Sequence, residues 1–322
     1  MEYTRRELAR LALTALPAAH LLRTSVSAFQ AKPNSTVNGV TIGMNVPYNF
    51  GGRNMPVAEI IRNCVQLGIS GVELRTQPVE TFLGAPEHLV PTGRSGGGGR
   101  AATPPTPEQQ AAQKANAEEL RKWRLSVPMD KVRSLRKMFD DAGVLVEIVK
   151  VDGIFAMPDE VVDYEFTLAK NLGARAISTE IAVPDTKRLG QFADKHKMMV
   201  GYHGHGTTTA ADFETAFSYA RHNGANLDIG HFIAGQNASP VPFIKQHHGR
   251  ITHIHVKDRK FNNGANVPFG QGDTPIKDVL QLIRDNKWNI QATIEFEYPV
   301  PEGSDRMTEI RKTIDYCRAA LA

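Results

Sequence analysis

Cysteine is almost missing from this chain. Two, Cys64 and Cys317, stand in 322 residues, and neither has a partner at metal-ligand spacing. A disulfide framework and a cysteine-based zinc cluster are therefore excluded. Both fall in helix-like patterns and read as small buried apolar side chains. Long hydrophobic runs are missing too, since nothing approaches the ~20 uninterrupted apolar residues that a spanning helix needs. Surplus charge is also missing. The net charge is +4, and residues 1–28 hold Arg5, Arg6, Arg10 and Arg23 against Glu2 and Glu7, so +2 belongs to that segment and +2 is left for the rest. Such a balance argues against nucleic acid or an anionic membrane as partner. A phosphate loop is absent as well: the Gly-rich FGQGDTPI at 269–276 carries no Lys and lacks the spacing.

What the chain does have is apolar mass, 41% hydrophobic against 22% charged residues, enough for one large core. Its first 28 residues read as an export signal of the twin-arginine type. Arg5-Arg6 precedes the weakly apolar LARLALTALPAAHLL, and Val26-Ser27-Ala28 suits a small-residue cleavage site. The expected location is periplasmic or secreted, with no membrane attachment in the mature form. Residues 29–39 form a leader. Residues 40–322 form one domain with a Gly/Pro-rich insert at about 84–115, where GRSGGGGR and TPPTPEQQ show no periodicity and predict a long loop.

Within that domain strands and helices alternate. Strands are predicted at 40–46, 71–76, 144–149, 174–180, 198–206, 226–232, 250–258 and 289–297. Helices are predicted at 56–69, 128–142, 158–172, 185–197, 209–223, 240–248, 275–286 and 303–321. Eight strands in strict alternation with helices predict a (β/α)8 TIM barrel. Asp273 or Thr274 is the expected N-cap of the helix at 275–286.

Four polar clusters sit at the ends of apolar strands: ISTE at 177–180, LDIGH at 227–231, ITHIHVKD at 251–258 and ATIEFE at 292–297. Strand residues two apart share a face. His253, His255 and Lys257 therefore line the barrel axis together, as do Thr293, Glu295 and Glu297, and Gly201, His203 and His205. Bare charges there would be costly, and a cation or substrate removes that cost. Candidate metal ligands are Glu180, Asp228, His255 and Glu295. Candidate acid–base groups are Glu180, His203, His205, Lys257 and Glu295. Glu73, His231 and Glu297 are expected to touch substrate. His253 reads as a core histidine held by a Thr or Glu, and Gly201 as a place where a ligand approaches the backbone.

LDIGH, HIHVKD, FGQGDTPI and IEFE, in this order over residues 40–318, resemble the xylose isomerase-like barrel superfamily of sugar phosphate isomerases and epimerases. The resemblance implies one divalent ion (Mn2+, Mg2+, Co2+ or Zn2+) held by a Glu, an Asp, a His and a Glu, with a His three residues after the Asp touching substrate. Asp228 with His231, then His255, then Glu295, match that order. The sequence departs at strand five, where the epimerases carry a ligand Glu and this chain has VGYHGHG. Either Glu180 or a strand-five His completes the shell. The expected activity is isomerisation or epimerisation of a sugar by proton abstraction next to a carbonyl, through an enediolate. The mix of His203, His205 and Lys257 is closer to members that eliminate a substituent from keto-sugars or keto-inositols. A non-catalytic carbohydrate-binding barrel is the rival outside enzymology. The abasic-site endonucleases of the superfamily need several metals and a basic face, which the charge does not support. The expected partner is a small-molecule sugar, and a homo-oligomer is compatible with the pattern.

Overall fold

The structure is a computed structural model that describes residues 32–90 and 106–322. The segment expected to be an export signal, residues 1–28, and the GRSGGGGR run lie outside the described residues. The unit Pro33–Ala322 is built on eight parallel strands: β1 (Val40–Val46), β2 (Gly71–Arg75), β3 (Leu145–Lys150), β4 (Ala176–Glu180), β5 (Met199–His203), β6 (Asn223–Asp228), β7 (Ile251–Val256) and β8 (Gln291–Ile294). Each pairs with the next, and β8 pairs with β1, so the sheet closes into the predicted (β/α)8 barrel. Closure leaves no free edge, apart from a two-residue strand at Thr36–Val37 that adds antiparallel to β1.

The helices in chain order are α1 (Val57–Leu67), α2 (Thr76–Leu83), α3 (Pro107–Ser126), α4 (Met129–Ala142), α5 (Asp159–Leu172), α6 (Thr186–His196), α7 (Ala210–Tyr219), α8 (Ile229–Gln236), α9 (Val241–His247), α10 (Ile276–Asp285) and α11 (Arg306–Leu321). Their apolar stripes pack on the outward faces of the strands; Ile60, Leu135, Phe166, Leu189, Phe213, Ile283 and Ile314 are buried there. No described helix is long and apolar enough to cross a membrane. Cys64 and Cys317 are fully buried in α1 and α11, and burial pushes both thiols up to about 12.

Four expectations are corrected. The tail of the 84–115 insert is not loop: Thr106 and Gln109 form a reciprocal capping box that starts the 20-residue α3. The segment 226–232 is not all strand, because β6 stops at Asp228 and the backbone turns at once into α8. The helix predicted at 209–223 ends at Tyr219, and Asn223 already belongs to β6. Finally, α10 has Pro275 at its N-cap position with no side-chain cap. Asp273 instead accepts from Phe261 N–H, and Thr274 Oγ1 accepts from Arg259 N–H.

Candidate metal centre and active site

Register decides which side chains meet. Asp228 on β6 lies opposite His255 on β7, and Glu180 on β4 lies opposite His203 on β5. Glu295 follows the last residue of β8, where its N–H still bonds to Val256 O at 3.0 Å. One donor atom from each of His203, Asp228, His255 and Glu295 falls within 4.8 Å of the others, and all four residues are buried. Two imidazoles and two carboxylates at that spacing form a borderline-hard donor set suited to one divalent ion.

The two oxygens of Asp228 divide their work. Oδ1 caps α8 by accepting from His231 N–H at 2.7 Å. Oδ2 faces the cluster, 3.3 Å from His203 Nε2 and 2.9 Å from Lys257 Nζ. The sharp strand-to-helix turn after β6 is therefore what aims this carboxylate. His255 is set by a second carboxylate. Its Nε2 lies 2.6 Å from Glu73 Oε2, and its Nδ1 points to Glu295 Oε2 at 3.3 Å. That is the carboxylate–histidine pairing that fixes the ring of a metal ligand.

Lys257 closes the cluster. Its ammonium is 2.6 Å from Glu295 Oε2, 2.6 Å from Glu297 Oε2 and 3.2 Å from His231 Nε2. Its stem passes over Gly230, where a Cβ would stand 2.4 Å from Lys257 Cγ. A glycine is needed at that contact. The donor set fits a cation, and the Lys257–Glu297 pair gives the ammonium a place beside it.

The electrostatics follow from burial set against these pairs. Burial alone would lower Lys257, but Asp228, Glu295 and Glu297 hold it well above its ordinary value. Burial alone would raise Glu295, Asp228 and Glu73. Lys257 outweighs it first for Glu295 and for Asp228, and His255 does so for Glu73, so all three are held well below the usual range. Burial alone would lower His255, yet Glu295 and Glu73 push it up to about 10. His203 is likewise raised against burial, chiefly by Glu180. His231 goes the other way. Burial, with Lys257 beside it, overcomes the pull of Asp228 and brings it down to about 3, so this imidazole is neutral.

The other expected residues sit as follows. Glu180 lies beside the four-donor cluster, not in it. Its Oε1 accepts from Lys150 Nζ at 2.7 Å, and its Oε2 lies 3.1 Å from His203 Nδ1 and 2.7 Å from His205 Nε2. Of the two alternatives for strand five, the geometry thus gathers His203 and leaves Glu180 to hold two imidazoles. His205 is half exposed at the rim. Glu73 does not reach the mouth: it is fully buried between His255 and His253, which corrects its expected contact with substrate. His253 is the expected core histidine, held by Thr252 Oγ1 at 2.9 Å and by Glu73. Glu297 accepts from Tyr48 Oη–H at 2.8 Å and from Lys257. His231 lies between Lys257 and Arg259, whose Nη1 is 2.7 Å from its Nδ1. The space at Gly201 is filled by Thr252, whose Oγ1 stands 2.2 Å from where a Cβ would go, so no ligand uses it.

Several functional residues escaped the sequence reading: Asn45, Tyr48, Lys150 and Arg259 in the site, and Asp258 behind it. The Asp258 carboxylate accepts the N–H groups of Gly270, Gly272 and Thr274 and so shapes the FGQGDT loop. Lys150 left a signal, a lone Lys closing the apolar strand VLVEIVK.

The fold is that of a TIM barrel, and the model of the xylose isomerase-like TIM barrel family matches residues 167–320. The match covers a little under half of the chain and falls on the part that carries β4 to β8 of the closed barrel. The chain is similar in fold to a xylose isomerase domain protein from Alicyclobacillus acidocaldarius (TM-score 0.58, 12% identity, 88% of this chain and 99% of that one). It is similarly close to an L-ribulose 3-epimerase (TM-score 0.57, 11% identity, 88% and 94%). In sequence it is 28% identical to an inosose dehydratase from Clostridium botulinum over 34% of this chain, a match that spans 44% of that relative's length.

Proposed function

We propose that this protein is a metal-dependent sugar isomerase or epimerase that removes a proton next to a carbonyl. The reading rests on one observation: His203, Asp228, His255 and Glu295 present four donor atoms within 4.8 Å at the C-terminal mouth of the barrel. His203, Asp228, His255 and Glu295 would hold a divalent cation, which would supply Lewis acidity to the substrate. The chain's own groups do the rest. Glu73 and Glu180 orient His255 and His203. Lys257, fixed by three carboxylates, places an ammonium where negative charge develops as the enediolate forms. His205 is the proton carrier. Its Nε2 is held by Glu180, which Lys150 anchors in turn, and Nδ1 is left to take the proton. Returning the proton elsewhere completes an isomerisation or epimerisation.

A second reading is favoured by the similarity to an inosose dehydratase and by the imidazoles that stand where a second base carboxylate is expected. In it the same proton abstraction is followed by loss of the β-hydroxyl as water. A keto-sugar or keto-glycoside would then be the substrate. A twin-arginine export signal suits both readings, because it would carry the barrel across the membrane folded and loaded.

The test is proton-exchange NMR in D2O on a panel of ketoses and 3-keto-glycosides, with and without chelator. The reading expects deuterium beside the carbonyl, lost on chelation. An epimer or isomer as product favours the first reading, and a dehydrated product the second. No exchange with any member of the panel by the metal-loaded protein contradicts both.

A further inference from the structure

The opposite side of the mouth carries a polar cluster that the proposed chemistry does not use. Strand β2 ends at Arg75 and α2 begins at the next residue, so Gln77 is held rigidly in the first helical turn. Asp152 follows β3 by two residues. One oxygen of Asp152 collects the contacts. Oδ2 accepts from Arg75 Nη1 at 2.9 Å and from Gln77 Nε2 at 3.1 Å, with Arg53 Nη1 at 3.8 Å. The other oxygen, Oδ1, and the carbonyl Oε1 of Gln77 are buried and have no hydrogen-bond donor among the described residues. Gln77 is 4% exposed and the Asp152 side chain 17%, so the cluster lies just below the surface.

The cluster is wired to the reacting half. Arg75 Nε donates to Asn45 Oδ1 at 3.3 Å, and Asn45 Nδ2 donates to Glu295 Oε1 at 3.0 Å. The Arg75 guanidinium also lies over the Tyr48 ring at 5.0 Å, and Tyr48 donates to Glu297. The cluster is thus linked to Glu295 through Arg75 and Asn45 by two successive hydrogen bonds.

We infer that Asp152 and Gln77, braced by Arg75, form the specificity subsite for the distal hydroxyls of an uncharged polyol or sugar. Two unmet acceptors, on residues already hydrogen-bonded to each other, call for two donors, which vicinal hydroxyls supply. A phosphate supplies no donor at neutral pH and would meet the Asp152 carboxylate. The arginines do not reverse this, because Arg75 is spent on Asp152 and Asn45, and Arg53 also faces Asp152. The subsite thus selects against phosphorylated sugars. The inference rests on the sugar reading above for its ligand class, but its test does not need turnover.

Myo-inositol and D-glucose serve as non-reacting probes, measured by calorimetry and by the side-chain amide signals of Gln77 in 15N-correlated NMR. Wild-type protein should bind at least one probe and shift those signals. Asp152→Asn and Gln77→Leu should each weaken binding about tenfold or more. Mn2+ affinity should be unchanged in both variants, which shows that the metal half is still folded. Equal probe affinity in wild type and variants overturns the subsite. So does tighter binding of D-glucose 6-phosphate than of D-glucose. If the probes bind through Asp152 and yet no keto-sugar exchanges a proton, the activity reading falls and the subsite stands.

Discussion

Strands β5 to β8 close their side of the barrel mouth with imidazoles and carboxylates, whereas β1 to β3 close theirs with an amide, a guanidinium and one aspartate shared among several donors. His203, Asp228, His255 and Glu295 converge on a common point. Asn45, Arg75, Gln77 and Asp152 form a chain with two acceptors left open. The first arrangement offers four donor atoms to a cation; the second offers two open acceptors. On the proposed reading, one barrel separates chemistry from selection, because each strand brings its own residue to the same rim. Lys257 and Asn45 sit where the two halves meet, each touching Glu295.

The sharpest way to break this division is to delete a donor. Asp228→Ala or His255→Ala should lower metal affinity more than ~100-fold and abolish proton exchange, as read by metal analysis and NMR. Full activity in either variant ends the assignment. His205→Ala should cost about 10²–10⁴ in rate while the metal is retained, because general acid–base catalysis is worth that much. Loss of metal together with activity would place His205 in the ligand shell instead. Glu73→Gln should weaken metal binding by about 10–100-fold by freeing His255, the usual effect of removing an orienting carboxylate. An unchanged affinity would mean that packing alone holds the ring.

The smallest effect lies away from the mouth and contrasts with it. On the outer layer, Arg124 of α3 reaches between Glu80, at 2.7 Å, and Glu165, at 3.6 Å. Burial pushes Glu165 up to about 7, with Arg124 opposing and Glu80 adding. The folded chain then keeps a proton that an unfolded chain, with an ordinary value of 4.5, has released. Stability from this residue is greatest below that ordinary value and falls as pH rises towards 7. Glu165→Gln should therefore add about 1–3 kcal/mol at pH 8 and almost nothing at pH 4.5 in denaturant unfolding. A gain that does not vary with pH would refute the buried proton.

Much of the chemical half could be read before the fold was known. His255 with Lys257, and Glu295 with Glu297, interrupt apolar strands two residues apart, so alternation puts each pair on one face, and Asp228 closes an apolar strand of its own. The recognition half left no such trace. Gln77 lies in a helix that begins without a loop, and Asp152 lies in a short turn; nothing local marks either as a partner of Arg75. The role of Glu73 was misjudged for a related reason. Alternation gives a residue's face but not its depth, and the register beside Asn45 puts it one layer below the rim. Helices α2, α3 and α8 were missed because a polar, Gln-rich surface helix such as α3 has little apolar period and an eight-residue helix straight after a strand, as α2 and α8 are, reads as its continuation.

The central claim is that His203, Asp228, His255 and Glu295 hold one divalent ion. A crystal soaked in Mn2+, with diffraction collected at the manganese edge, addresses it directly. The account predicts a single anomalous peak about 2.0–2.3 Å from one atom of each of the four side chains, with the Lys257 ammonium drawn towards Glu297. No peak there, with Lys257 still bridging Asp228 and Glu295, or a peak between Glu180 and His205 instead, would contradict it.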